Sequence, residues 1–231
     1  MKTHDIVCDS GSLITLTSSC LDRLLYFFHE KQHMRFMIPP AVEYETVGRV
    51  LDENIRKHMY SALRIRQAIE DGVLVRAQGD YSVAGKRLMN YANNLFYLKG
   101  KPLMLIQQGE AEMLALSRSS QVEYLLMDER TTRMLIEAPI RLKTHLENEF
   151  GVHAMVNKEN LRQLTSEISG LRTLRSSELA MLAFEKGYFD VSDNRKNEML
   201  EAALYKMKYS GCSISFDDIK SYMDSVANKI V

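Results

Sequence analysis

Over the first two thirds of the chain, short apolar runs alternate with longer stretches whose apolar positions recur every three or four residues. The runs fall at residues 5–8, 36–38, 73–75, 124–127 and 153–156. Runs this short suit buried strands, and the amphipathic stretches between them suit helices that cover a sheet. Their alternation predicts βαβ units, and with them an α/β fold in which a mostly parallel central sheet lies between two helical layers. Residues 52–71 read as a long charged helix stopped at Gly72. Between residues 83 and 98, Leu88, Tyr91, Ala92, Leu95 and Leu98 share one helical face, which predicts a core-facing helix with Gly100 and Pro102 beyond its end.

Past residue 156 the pattern changes, and no further strand is expected. Asn157 suits the cap of a helix running to about residue 167, and Ser176-Ser177-Glu178 opens another that ends near Gly187. A third covers residues 197–209 and stops at Gly211, while Ser215 and Asp218 have the spacing of a capping box. The chain thus divides into an α/β domain, 1–156, and an all-helical extension, 157–231. Leu179, Leu182, Phe184, Leu204 and Tyr205 of the extension need burial, and no low-complexity linker separates it from the rest, so it is expected to pack on the first domain.

Composition narrows the function classes. With 45% hydrophobic and 26% charged residues the chain has a globular balance, and no apolar run approaches the roughly 18 residues of a membrane helix. The strand-like start leaves no room for a signal peptide. Cys8, Cys20 and Cys212 form no CxxC and read as buried free thiols, which suits a cytoplasmic protein. Lys and Arg together number 30, as do Asp and Glu, so a strongly basic duplex-DNA binder is disfavoured. An enzyme that grips phosphates through metal ions needs no such excess. The six histidines are scattered without zinc spacing, and no dinucleotide fingerprint or P-loop occurs. Arg56, Lys57, Arg64 and Arg66 read as a solvated helix face, with a phosphate-tracking stripe as the functional alternative.

The acidic residues change the picture most. Asp9 directly follows the first strand and Asp128 the fourth, so a parallel sheet brings both to its carboxyl edge, where open α/β sheets bind ligands. Glu45 lies shortly after the strand at 36–38, in the first turn of a helix opened by Pro39-Pro40. Glu110 and Glu112 begin the helix that leads into the strand at 124–127. Phosphodiester hydrolysis by divalent cations requires oxygen ligands of this kind. Taken singly, each acid is better accounted for by helix capping or the helix dipole than by a metal, and position alone does not decide for chemistry.

Four segments together resemble the PIN-domain nucleases. Ile6-Val7-Cys8-Asp9-Ser10-Gly11-Ser12 is similar to their opening strand and Asp-Ser turn. Ile38-Pro39-Pro40-Ala41-Val42-Glu43-Tyr44-Glu45 is similar to their second motif. Gly109-Glu110-Ala111-Glu112 resembles the GEAE helix of one branch, and Leu125-Leu126-Met127-Asp128-Glu129-Arg130 the strand-end Asp motif. The resemblance covers residues 4–156. It implies a PIN-like three-layer sandwich and a metal-dependent endoribonuclease that cuts single-stranded or structured RNA with Mg²⁺ or Mn²⁺. The implied catalytic residues are Asp9, Glu45, Glu112 and Asp128, with Glu110 as a further metal ligand and Glu129 as the substitute at the fourth position. Ser10 and Ser12 fit either as hydroxyls orienting Asp9 or as caps. Gly11 departs from the bulkier residue common there. A toxin-like pairing with an antitoxin, or with another protein, and a homodimeric state stay open, and no membrane partner is expected. The alternative function is a PIN-like module that binds RNA or protein without cutting.

Overall fold

The structure is a computed structural model and describes residues 5–190 and 195–228. Eight strands are present among them: β1 (Asp5–Cys8), β2 (Arg35–Ile38), β3 (Leu74–Arg76), β4 (Phe96–Leu98), β5 (Lys101–Pro102), β6 (Tyr124–Leu126), β7 (Ala154–Val156) and β8 (Arg172–Leu174). Five of them build one sheet in the order β3-β2-β1-β6-β8, with every pairing parallel. The other three form a small antiparallel sheet, β5-β4-β7.

Side chains of successive strand residues point to opposite faces, and the burial follows that rule. Ile6, Cys8, Phe36, Ile38, Leu74 and Leu126 enter one core, whereas Val7, Leu125 and Met127 enter another. Helices therefore cover both faces of the parallel sheet. The first core takes Leu13 and Leu16 from the helix Ser10–Ser18, Leu24 and Phe28 from Arg23–Gln32, and Ile65 from Met59–Glu70. The second takes Leu88 and Ala92 from Ser82–Asn93, Met113 and Leu116 from Gln108–Ser120, and Leu142 and Leu146 from Pro139–Phe150.

The C-terminal segment differs from its expected all-helical character. Its first helix, Lys158–Ile168, is capped by Asn157 and adds Leu164 and Ile168 to the second core. After Gly170 the chain forms β8, which pairs with β6 at the sheet edge. It then crosses to the other face, where Leu179, Leu200, Leu204, Met207, Ile219 and Val226 join the first core. β8 escaped the sequence pattern because Arg172-Thr173-Leu174 is three residues long, mostly polar, and paired on one side only. The capping box at Ser215 is present: the Ser215 amide donates to Asp218 Oδ2 at 3.0 Å, and the Asp218 amide to Ser215 Oγ at 2.9 Å.

Other boundaries also shift. The helix expected over 83–98 ends at Asn93, and residues 96–98 form β4 instead. Lys99 and Gly100 both take positive φ, 49° and 78°, which makes the tight turn joining β4 to β5. The run at 153–156 pairs antiparallel with β4 and not with the parallel sheet. The charged stretch 52–71 is broken: Arg49–Asp52 ends one helix and Met59–Glu70 forms the next. Cys8 and Cys212 are buried free thiols, but Cys20 is exposed. No helix among the described residues is long and apolar enough to cross a membrane.

Leu204 is fully buried in a core that also contains Phe36 and Leu126 of the central sheet. Leu204→Ala is therefore expected to cost about 2–5 kcal/mol and to lower the midpoint of a single urea transition. Monitoring fluorescence and far-UV circular dichroism together checks this, since a tail unfolding by itself would separate the two signals.

Candidate functional site

The order β3-β2-β1-β6-β8 places a topological switch between β1 and β6: from β1 the chain builds outward through β2 and β3, then returns to the other side. In open α/β sheets, the crevice beyond the strands at such a switch is where ligands bind. Register fixes which residues occupy it. Cys8 lies opposite Leu126, and the Asp9 amide donates to the Leu126 carbonyl at 3.0 Å. Asp9 and Asp128 thus lie just beyond neighbouring strands, at the same edge.

Asp9 caps the helix Ser10–Ser18, accepting the Ser12 amide on Oδ1 at 2.6 Å. The Ser12 hydroxyl bonds the Asp9 carbonyl at 3.2 Å and the Leu126 carbonyl at 3.0 Å, fastening the ends of β1 and β6 together. Ser12 is not the cap, which is Asp9, and its hydroxyl holds the turn through two backbone carbonyls. Ser10 is half-buried at the helix start. Asp9 is 3% exposed and forms no ion pair among the described residues. Burial pushes its pKa up to about 7, against the Ser12 hydrogen bonds that lower it, and the charges of Asp128 and Glu110 push it further. A Cβ at Gly11 would sit 3.3 Å from Asp9 Oδ2, so the glycine leaves room beside that oxygen.

Asp128 is also buried, and its partners come from the C-terminal segment. Oδ1 accepts the Ser176 amide at 2.8 Å and the Cys212 thiol at 3.2 Å, while Oδ2 accepts the Ser176 hydroxyl at 2.8 Å. The carboxylate therefore sits at the N-terminus of the helix Ser176–Glu185, where the dipole favours negative charge. Burial, with Asp128 second, pushes the Cys212 thiol up to about 12, so it stands as a neutral donor. Sequence reasoning found Ser176 only as a helix start and Cys212 only as a buried thiol. Partners 48 and 84 residues from Asp128 leave no local signal.

The remaining acids gather around the helix Gln108–Ser120. Glu110 Oε2 accepts the Gln107 amide at 2.7 Å, which closes the first helical turn. Burial raises its pKa, and the charges of Glu129 and Glu45 add to the rise. Glu129 caps the helix Arg130–Glu137 through the Thr132 amide. Glu45 lies in a π-helical segment, Tyr44–Gly48, a local widening that often accompanies functional sites. Its carboxylate packs on Gly109, with Oε2 2.7 Å from the point a Cβ would take, and accepts no hydrogen bond from the described residues.

Glu112 spends both carboxylate oxygens on other partners. Its Oε2 accepts the Ala41 amide at 3.0 Å and Oε1 the Gln108 side chain at 2.9 Å, while its stem lies against Gly85. It shares with Glu45 a small cleft of about 270 Å³ floored by Pro40 and Ala41. The acids accordingly form a chain in which Asp128 and Glu110 act on Asp9, and Glu45 and Glu129 act on Glu110. Among the described residues, no three His, Cys, Asp or Glu side chains lie close enough together to hold a metal ion. Comparison with protein-family models, with curated proteins and with solved structures finds no match for this chain.

Two outcomes are expected. A carboxyl whose pKa rises from 3.8 to about 7 on folding is protonated more readily in the native state, so its contribution to stability falls as pH climbs between those values. Asn keeps the acceptor for Ser12 without the charge. The unfolding free energy of Asp9→Asn should thus match wild type near pH 4 and exceed it at pH 8, by at most about 4 kcal/mol. Denaturant titrations at several pH values measure this. Gly109→Ala should displace the Glu45 carboxylate, and a crystal structure of that variant would reveal the shift.

Proposed function

We propose that this chain is a PIN-like, metal-dependent endoribonuclease whose acidic edge cuts RNA. The observation that carries the reading is the pair Asp9 and Asp128 at the β1–β6 switch, with Asp9 held near neutrality by burial and by neighbouring carboxylates that no cation offsets. A buried cluster of repelling acids costs stability, and a bound divalent cation would remove that cost.

The donor chemistry fits Mg²⁺ or Mn²⁺, which prefer carboxylate oxygens. Among the described residues no three acids stand close enough to hold it as they lie, so Asp9 through Oδ2, Glu45 through a carboxylate that accepts no hydrogen bond, and Glu110 at the next helix start would have to close around the cation. Glu110 suits the third position better than Glu112, because it acts on both Asp9 and Glu45, whereas Glu112 is spent on Ala41 and Gln108. The cation would supply Lewis acidity for hydrolysis of a phosphodiester.

One observation favours the alternative, a PIN-like module that binds RNA or protein without cutting. Both oxygens of Asp128 are engaged by Ser176 and Cys212, so the C-terminal segment takes capacity a metal would use. The two readings separate on a single assay. Wild type with Mn²⁺ is expected to cleave a fluorescent single-stranded RNA and to gain thermal stability from the metal alone. Asp9→Asn should lose both, cleavage falling by more than the roughly 100-fold that losing an outer-shell partner costs. Metal-insensitive melting together with intact RNA in the wild-type reaction would leave the binding module as the function.

A further inference from the structure

Beside the acidic edge lies a larger cavity, of about 620 Å³, walled by residues from the C-terminal half of the chain. Three separate stretches of polypeptide connect it to Asp128. Arg130 and Arg133 follow Asp128 itself, Arg175 precedes Ser176, and Ser213 follows Cys212, the last two being neighbours of groups that bond the Asp128 carboxylate. Lys208 completes the basic wall.

The cations differ in how far they are committed. Arg175 pairs with Glu178 at 2.9 Å and Asp218 at 3.3 Å and bonds Tyr222, so it serves chiefly to hold the wall together. Lys208 donates to the Ile214 carbonyl at 2.6 Å and lies over the Phe216 ring. Arg130 and Arg133 form no ion pair among the described residues; Arg133 donates to Thr173 Oγ1, at 3.3 Å, and Thr173 in turn bonds Glu137. Glu137 and Asp218 also line the cavity, Glu137 bonded by Thr173 and Asp218 paired with Arg175, so four cations face two carboxylates, and two guanidinium groups without an ion pair in a concavity large enough for a nucleotide make an anion site. The basic stripe considered from the sequence is less available, since Arg64 is bound to Asp22 and Arg66 to Glu70.

We infer that this cavity is a phosphate subsite, in which Arg130 and Arg133 hold the backbone of a single RNA strand next to the acidic edge. The assignment rests on the nuclease reading for its choice of ligand. Charge balance over the whole chain, 30 against 30, makes a local site of this kind the means by which such a protein would grip a polyanion.

The test is binding without cleavage. Full-length Asp9→Asn, in EDTA, is titrated against a fluorescein-labelled single-stranded RNA at several salt concentrations. Adding Arg130→Gln and Arg133→Gln, which keeps N–H donors and removes charge, should weaken binding about tenfold or more. The slope of log affinity against log salt should flatten by roughly 0.7 for each phosphate that is no longer neutralised. Arg130→Glu alone, at an exposed and unpaired position, should weaken binding without disturbing the fold. Arg56→Gln with Lys57→Gln should leave binding unchanged. Unchanged affinity and salt slope in the cavity variants would overturn the inference, as would equal weakening in the Arg56/Lys57 control. Adenosine monophosphate competing as well as an unlabelled strand would overturn it too, by making the cavity a small-molecule pocket. Cleavage by wild type with Mn²⁺ is scored separately, so strand binding through Arg130 and Arg133 without cleavage would remove the nuclease reading and leave the subsite in place.

Discussion

The double hydrogen bond between Asp128 and Ser176 joins parts of this protein that lie far apart in sequence. Each of its bonds is 2.8 Å long and buried, and a charged acceptor makes such bonds worth about twice their neutral counterparts. One partner follows the strand that neighbours β1, and the other starts a helix that packs into the core built by the N-terminal helices. Ser176 Oγ also lies 3.5 Å from the Ser12 carbonyl, which brings the turn holding Asp9 into the same junction. The edge of the sheet owes its shape to this contact: remove it, and β8, the last three helices and the acids lose their common reference point.

Negative charge at that edge is tolerated because helix starts converge there. Asp9, Glu110, Asp128 and Glu129 each accept a backbone amide at the start of a different helix. Amide dipoles and hydrogen bonds offset part of the mutual repulsion, yet for Asp9 and Glu110 burial still wins, and both pKa values rise. The same residues therefore satisfy structural requirements and keep an electrostatic demand unmet. That combination explains why capping is the better account of each acid in isolation, and why any case for a metal has to start from their juxtaposition.

What could be read from the residues followed from local pattern. Four of the five parallel strands stand where short apolar runs predicted them, because a strand buried on both faces has to be apolar throughout. The position of Asp9 and Asp128 at one edge followed from parallel pairing alone. What escaped was set by partners far along the chain. β8 carries an exposed Arg172 and takes its strand form from Leu125 and its neighbours, and β7 belongs to a second sheet whose hairpin depends on the backbone at Lys99 and Gly100. The contrast between Glu110 and Glu112 was legible as a difference in direction two residues apart on a helix. Which direction faces Asp9 depended on how that helix lies against Gly85 and Ala41, which no spacing encodes.

The route of the C-terminal segment, from one face of the sheet around β8 to the other, also sets an order of events during synthesis. Domains form as their chain emerges from the ribosome, and here the strands that precede Asp9 and Asp128 emerge well before the residues that close over them. Until Ser176 and Cys212 arrive, the β6 edge is unpaired and the Asp128 carboxylate lacks its partners. A chain that stops short of residue 176 would hold the acids without the frame that positions them, so this edge takes its final shape only once the segment that carries Ser176 and Cys212 has been made.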